Sequence, residues 1–118
     1  MIKFKNLKSD FQFRSLLGQK KIHTDYFSIY FGRNFMKENN NKLNISFIMK
    51  KKVGNSVVRN KIKRRLRSAV QKNLKNKKII DMDYSYIILG KSKAFAEKYS
   101  IISDELDKTF FKINQMNI

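Results

Sequence analysis

The sequence predicts one α+β domain spanning residues 1–118. Three observations carry that reading: two stretches that alternate between apolar and polar residues, a long stretch of helical spacing behind them, and a run at 84–89 that is apolar or aromatic at nearly every position. With a short helix at each end, chain order gives αβββαβα, helices packed on a mixed central sheet. A chain of 118 residues suits one core and is short for two. Its composition, 42% hydrophobic with 13% aromatic residues, supplies that core and argues against intrinsic disorder.

Residues 9–17 predict the first helix. Ser9 or Asp10 can cap it, Phe13, Leu16 and Leu17 fall at helical spacing, and Gly18 can end it. Phe11 lies off that apolar stripe. A short strand at 20–24 is weakly signalled. From Tyr26 to Gly32 the alternation is clear, with Phe27, Ile29 and Phe31 on one side and Tyr26, Ser28 and Tyr30 on the other. After a polar loop at 37–42, a further strand places Leu43, Ile45, Phe47 and Met49 on one side; Asn44, Ser46 and Lys50 fall on the other, with Ile48 the exception.

Gly54 and Asn55 form a turn and cap, and residues 56–74 make the longest helix. At 100° per residue, Val58, Ile62, Leu66, Ala69 and Val70 fit an arc of about 120°. Arg59, Asn60, Lys63, Arg64 and Arg67 cover a neighbouring arc of about 140°, so the helix is amphipathic with a cationic surface. The apolar run at 84–89 suits a strand covered on both faces. Ser103 or Asp104 opens the last helix, where Leu106, Phe110 and Ile113 recur at helical spacing.

Lys and Arg number 27 against nine Asp and Glu, a formal charge of +18. Such self-repulsion favours a polyanionic partner, nucleic acid before others. Lys, Asn and Ile are abundant throughout, as in any protein of an AT-rich genome, which accounts for part of the charge without a partner. With no Cys, disulfide scaffolds and cysteine-ligated zinc are excluded. No run approaches the roughly 18 apolar residues of a membrane span, and the N-terminus lacks a signal-peptide core, so a cytoplasmic protein without membrane attachment is expected.

Protein-based catalysis finds little to work with. His23 is the single histidine and has no local ligand pattern. Asp81 and Asp83 stand at a strand entry, and Asp104, Glu105 and Asp107 in the first turn of the predicted last helix, where the macrodipole favours them. The basic helix differs from an ordinary solvated face in its arginines. Lys does nearly all the basic work elsewhere, yet Arg59, Arg64, Arg65 and Arg67 crowd together, and guanidinium offers a planar fork for phosphate that ammonium lacks. Asn60 sits inside the arc as a donor and acceptor.

The stretch VGNSVVRNKIKRRLRSAV, with LNISFIMKKK before it, resembles the motif of the bacterial ribonuclease P protein component family: a strand, two lysines, a glycine turn, then a helix bearing RN, KR and R. Those positions are Lys51, Lys52, Gly54, Arg59, Asn60, Lys63, Arg64 and Arg67. Leu7, Lys8, Asp10 and Phe11, the strand FSIYF, and Asp83 with Tyr84 also follow the family order, so the likeness covers nearly the whole chain. It implies an αβ sandwich with a left-handed βαβ crossover, against the general right-handed rule. It further implies the non-catalytic protein subunit of a tRNA-processing endoribonuclease, whose catalytic RNA, with magnesium ions held mainly by that RNA, hydrolyses the phosphodiester. Lys51, Lys52, Arg59, Asn60, Lys63, Arg64 and Arg67 would bind the catalytic RNA, and Phe11 and Tyr30 the single-stranded 5′ leader of precursor tRNA.

Aromatic faces stack on unpaired bases with little sequence preference, which suits leaders of varied sequence. Ordinary packing would account for Phe11 and Tyr30 without the resemblance; with it, the leader role is the expectation. Ser15 stands where many members have an aromatic, and Leu89, Gly90 and Lys91 occupy a stretch that often carries a basic contact. A structural RNA binder of ribosomal type shares the charge and fold class and is the alternative. A DNA-binding regulator is disfavoured because strands, not a short helix, precede the basic helix.

Overall fold

The computed structural model describes residues 3–7, 10–33 and 42–116, with residues 10–13 described by backbone alone. The elements are β1 (Lys3–Lys5), α1 (Asp10–Leu17), β2 (Lys20–His23), β3 (Phe27–Arg33), β4 (Lys42–Met49), α2 (Ser56–Asn76), β5 (Tyr84–Gly90) and α3 (Tyr99–Met116). Short 3-10 turns at Lys51–Val53 and Ser92–Ala94 lead into α2 and follow β5. The α+β class and mixed sheet match expectation. One strand, β1, precedes the predicted series, so the order begins β1-α1.

The five strands lie in the order β1-β4-β5-β3-β2. β1 with β4 and β4 with β5 run parallel, while β5 with β3 and β3 with β2 run antiparallel. The parallel step from β4 to β5 passes over α2, whereas the tight turn between β2 and β3 joins antiparallel neighbours.

Register divides the sheet into two working faces. On one, the rows Phe31–Tyr86–Ile45 and Ile29–Ile88–Phe47 cross β3, β5 and β4. Ile62, Leu66, Ala69 and Val70 of α2 and Ile102, Leu106, Phe110 and Ile113 of α3 share one buried cluster with these rows. The Tyr86 and Phe110 rings meet edge to face at 5.1 Å, and the Tyr86 hydroxyl donates to Asp81 O at 2.6 Å. On the opposite face run the rows Lys21–Tyr30–Ile87–Ser46 and His23–Ser28–Leu89–Ile48. α1 packs there: a Cβ at Gly32 would lie 3.1 Å from Leu16 Cδ1, and Leu16 is buried.

Local chemistry fixes the placement of α2. Gly54 has φ of 157°, and a Cβ there would lie 2.8 Å from Val58 Cγ1, so the residue before the helix cap favours glycine. Asn55 then caps the helix by accepting from Val58 N at 3.0 Å. At the far end Lys77 and Lys78 N–H both donate to Asn73 O, and Lys78 adopts φ of 51°.

One boundary corrects the sequence reading. α3 starts at Tyr99, so Asp104, Glu105 and Asp107 do not occupy its first turn. Asp107 instead accepts from Asn73 Nδ2 at 2.6 Å and faces Lys77 Nζ at 3.8 Å, tying α3 to the end of α2. The predicted cap at Ser9 and most of the polar loop at 37–42 lie outside the described residues, as does the Asp10 side chain.

Candidate nucleic-acid interface

The long basic helix does not present its cations uniformly. On one flank the 94–99 segment lies against them and takes up Arg65. Arg65 Nη1 donates to Ala94 O at 3.0 Å and Phe95 O at 2.6 Å, and Nη2 donates to Glu97 O. Lys61 Nζ lies 4.4 Å from the Phe95 ring centroid and Lys72 Nζ 5.8 Å from that of Tyr99, whose hydroxyl is 3.1 Å from Ser68 Oγ. Adjacent in sequence to the expected contacts, Arg65 thus serves as a tether for the chain between β5 and α3.

On the other flank Asn60, Lys63, Arg64 and Arg67 are exposed, and none of their cations meets a carboxylate within 4.0 Å among the described residues. Arg67 rests its guanidinium 5.0 Å from the Phe4 ring centroid, and Phe4 packs against Phe47 at 5.9 Å. β1, unpredicted, therefore supports the cationic flank. Arg59 is half-buried, with Nε enclosed and without a partner among the described residues, so it is the least open of the set. Lys51 and Lys52, in the 3-10 turn before the helix cap, are both exposed.

The second face of the sheet carries the other expected residues. Tyr30 is half-buried, with Lys21 Nζ 5.8 Å from its ring centroid. Phe11 belongs to α1, and its side chain, like that of Phe13, lies outside the described ones. Ser15 is half-buried on the same helix. Lys91 donates from Nζ to Thr24 O at 2.6 Å, bracing the β2–β3 turn. His23 pairs with Ser28, Nδ1 to Oγ at 2.5 Å, a contact that the sequence cannot reveal without the strand register.

Among the described residues no three His, Asp or Glu side chains gather where they could hold a metal ion. Asp81 accepts from Asp83 N at 2.8 Å in a local turn. The described side chains therefore do not make a site for a resident divalent cation. Among the described residues no helix is long and apolar enough to cross a membrane.

These features define a class: a small α+β sandwich with one cationic helix flank that meets no carboxylate among the described residues, and a second sheet face that mixes an aromatic, polar and apolar side chains. A family model for ribonuclease P matches residues 1–114. The ribonuclease P protein component of Mycoplasma mycoides subsp. mycoides is 32% identical over 109 residues, covering 91% of this chain and 94% of the relative. That of Rickettsia canadensis is 34% identical over 113 residues, covering 92% and 93%. In fold, the RNase P protein from Thermotoga maritima superposes with a TM-score of 0.74 at 19% identity, covering 92% of this chain and 96% of that one. An RNase P protein of Staphylococcus aureus gives 0.73 at 22% identity, covering 93% and 87%. The chain belongs to the ribonuclease P protein component family.

Proposed function

We propose that this chain binds the catalytic RNA of ribonuclease P through the open flank of α2 and holds the 5′ leader of precursor tRNA on the second face of the sheet, promoting leader removal. Family membership supports the assignment. The single observation that carries the RNA-binding part is the open flank of α2: Asn60, Lys63, Arg64 and Arg67 are exposed there and meet no carboxylate within 4.0 Å among the described residues, while the neighbouring Arg65 is turned inward onto backbone carbonyls.

In this reading Lys51, Lys52, Lys63, Arg64 and Arg67 meet RNA phosphates, with Asn60 hydrogen-bonding beside them and Arg59 supporting from a more enclosed position. Each phosphate neutralised releases condensed counterions, so affinity depends steeply on salt. Tyr30 and Phe11 stack on unpaired leader bases at roughly 1–3 kcal/mol per base. The protein contributes binding and orientation. Hydrolysis belongs to the RNA and the magnesium ions held there, in the cytoplasm where precursor tRNA is made.

The test is reconstitution. Purified protein added to its cognate catalytic RNA at low magnesium concentration should raise the rate of precursor cleavage severalfold, and protein alone should cut nothing. Binding without stimulation would leave a structural RNA binder of ribosomal type.

A further inference from the structure

His23 is unused by the proposed function, yet it stands on the same face as Tyr30. The rows Lys21–Tyr30–Ile87–Ser46 and His23–Ser28–Leu89–Ile48 lie side by side, two residues apart along each strand, roughly 7 Å. Ser28 is buried, with 1% exposure, so its hydroxyl needs a partner inside the protein, and His23 Nδ1 supplies one at 2.5 Å. If Nδ1 were the donor, the Ser28 hydrogen would need a second acceptor, and the described residues offer its side chain no other bond. The arrangement that satisfies both groups has Ser28 Oγ–H donating to Nδ1. In that arrangement a neutral ring carries its proton on Nε2, which leaves the exposed His23 an N–H donor not used by Ser28.

Around that donor are the components that recognise an unpaired nucleotide. Leu89 and Ile48 form a half-buried apolar floor, Tyr30 supplies an aromatic ring, and Lys21 an ammonium. Lys21 Nζ sits 5.8 Å from the ring centroid, near the outer limit of a cation–π contact, within reach of a phosphate beside a base on Tyr30. We infer that His23 is a binding residue for single-stranded RNA, donating from Nε2 to a backbone phosphate of the nucleotide next to the one stacked on Tyr30, with Ser28 as its positioning residue and Lys21 as the second cationic arm. This rests on the leader-binding reading of the face and adds to it a polar grip on the backbone.

The experiment compares precursor and mature tRNA binding by the holoenzyme reconstituted with its catalytic RNA. His23→Ala should weaken precursor binding about ten- to hundredfold, the worth of one hydrogen bond to a charged acceptor, and leave mature tRNA binding unchanged. The amide variants separate the two nitrogens. His23→Gln places a donor near the Nε2 position and should bind precursor within about twofold of wild type; His23→Asn retains a group near Nδ1 for Ser28 and should bind like His23→Ala. The reverse order, or equal loss for mature tRNA, assigns His23 to hairpin structure alone and overturns the inference. A Tyr30→Ala arm separates the two levels. Selective precursor loss in Tyr30→Ala but not His23→Ala refutes the histidine grip only; no selective loss in either refutes leader binding on this face as well.

Discussion

The guanidinium of Arg67 lies over the ring of Phe4, 5.0 Å from its centroid, and so links the exposed flank of α2 to the first strand of the sheet. The ring holds a planar cation at a fixed height beside Lys63 and Arg64, which limits the ordering that RNA binding must bring about. An ammonium at this position would keep the charge and lose both the fork and the stacking.

Arg67→Lys is therefore expected to leave the salt dependence of catalytic RNA binding unchanged while weakening affinity by about 1–2 kcal/mol, several-fold or more. Binding titrations at three salt concentrations check this. Wild-type affinity in the lysine variant would show that point charge alone matters there.

Neighbouring arginines should separate cleanly in stability. Arg65→Ala strips donors from three backbone carbonyls between Ala94 and Glu97 and is expected to cost about 1–3 kcal/mol. Arg64→Ala, on the exposed side, should stay within about 0.5 kcal/mol of wild type. Urea unfolding midpoints measure both, and similar losses would mean that the two side chains are not divided as described.

Gly90 is where the sheet admits α2. A Cβ there would lie 2.5 Å from Met49 Sδ and 2.8 Å from Ile62 Cγ2. The helix or the methionine must shift, so Gly90→Ala is expected to destabilise the domain by about 1–3 kcal/mol. A thermal melt unchanged from wild type would contradict that packing.

At the other end of α2, Lys78 holds a left-handed backbone conformation that favours glycine. Lys78→Gly should raise stability by about 0.5–1 kcal/mol despite the greater freedom of the unfolded chain, read from the shift of the urea midpoint. A loss would show that the lysine side chain stabilises this end more than its backbone costs.

Periodicity in the sequence was sufficient for β3, β4 and α2, because each buries a stripe long enough to repeat, and an unbroken apolar run was sufficient for β5, which is buried on both faces. β1 escaped notice because Lys-Phe-Lys offers a single apolar residue; its pairing with β4 and the packing of Phe4 on Phe47 are long-range facts. The start of α3 was misplaced because Ser103 and Asp104 imitate a cap, whereas Ser103 is buried inside the helix. For the candidate interface, residue types and spacing gave the cationic arc. Nothing local distinguishes Arg65, whose role depends on where the chain after β5 comes to rest, and nothing local pairs His23 with Ser28 before the hairpin register is known.

The most direct measurement of the central claim is a salt titration of catalytic RNA binding by the Lys63→Ala, Arg64→Ala, Arg67→Ala triple variant, set against a Lys61→Ala, Lys72→Ala control. Losing three phosphate contacts should flatten the slope of log affinity against log salt by about 2–3 units, while the control stays within about half a unit of wild type. A triple variant whose plot runs parallel to wild type, or a control that flattens as much per charge removed, would contradict RNA docking on the open flank of α2.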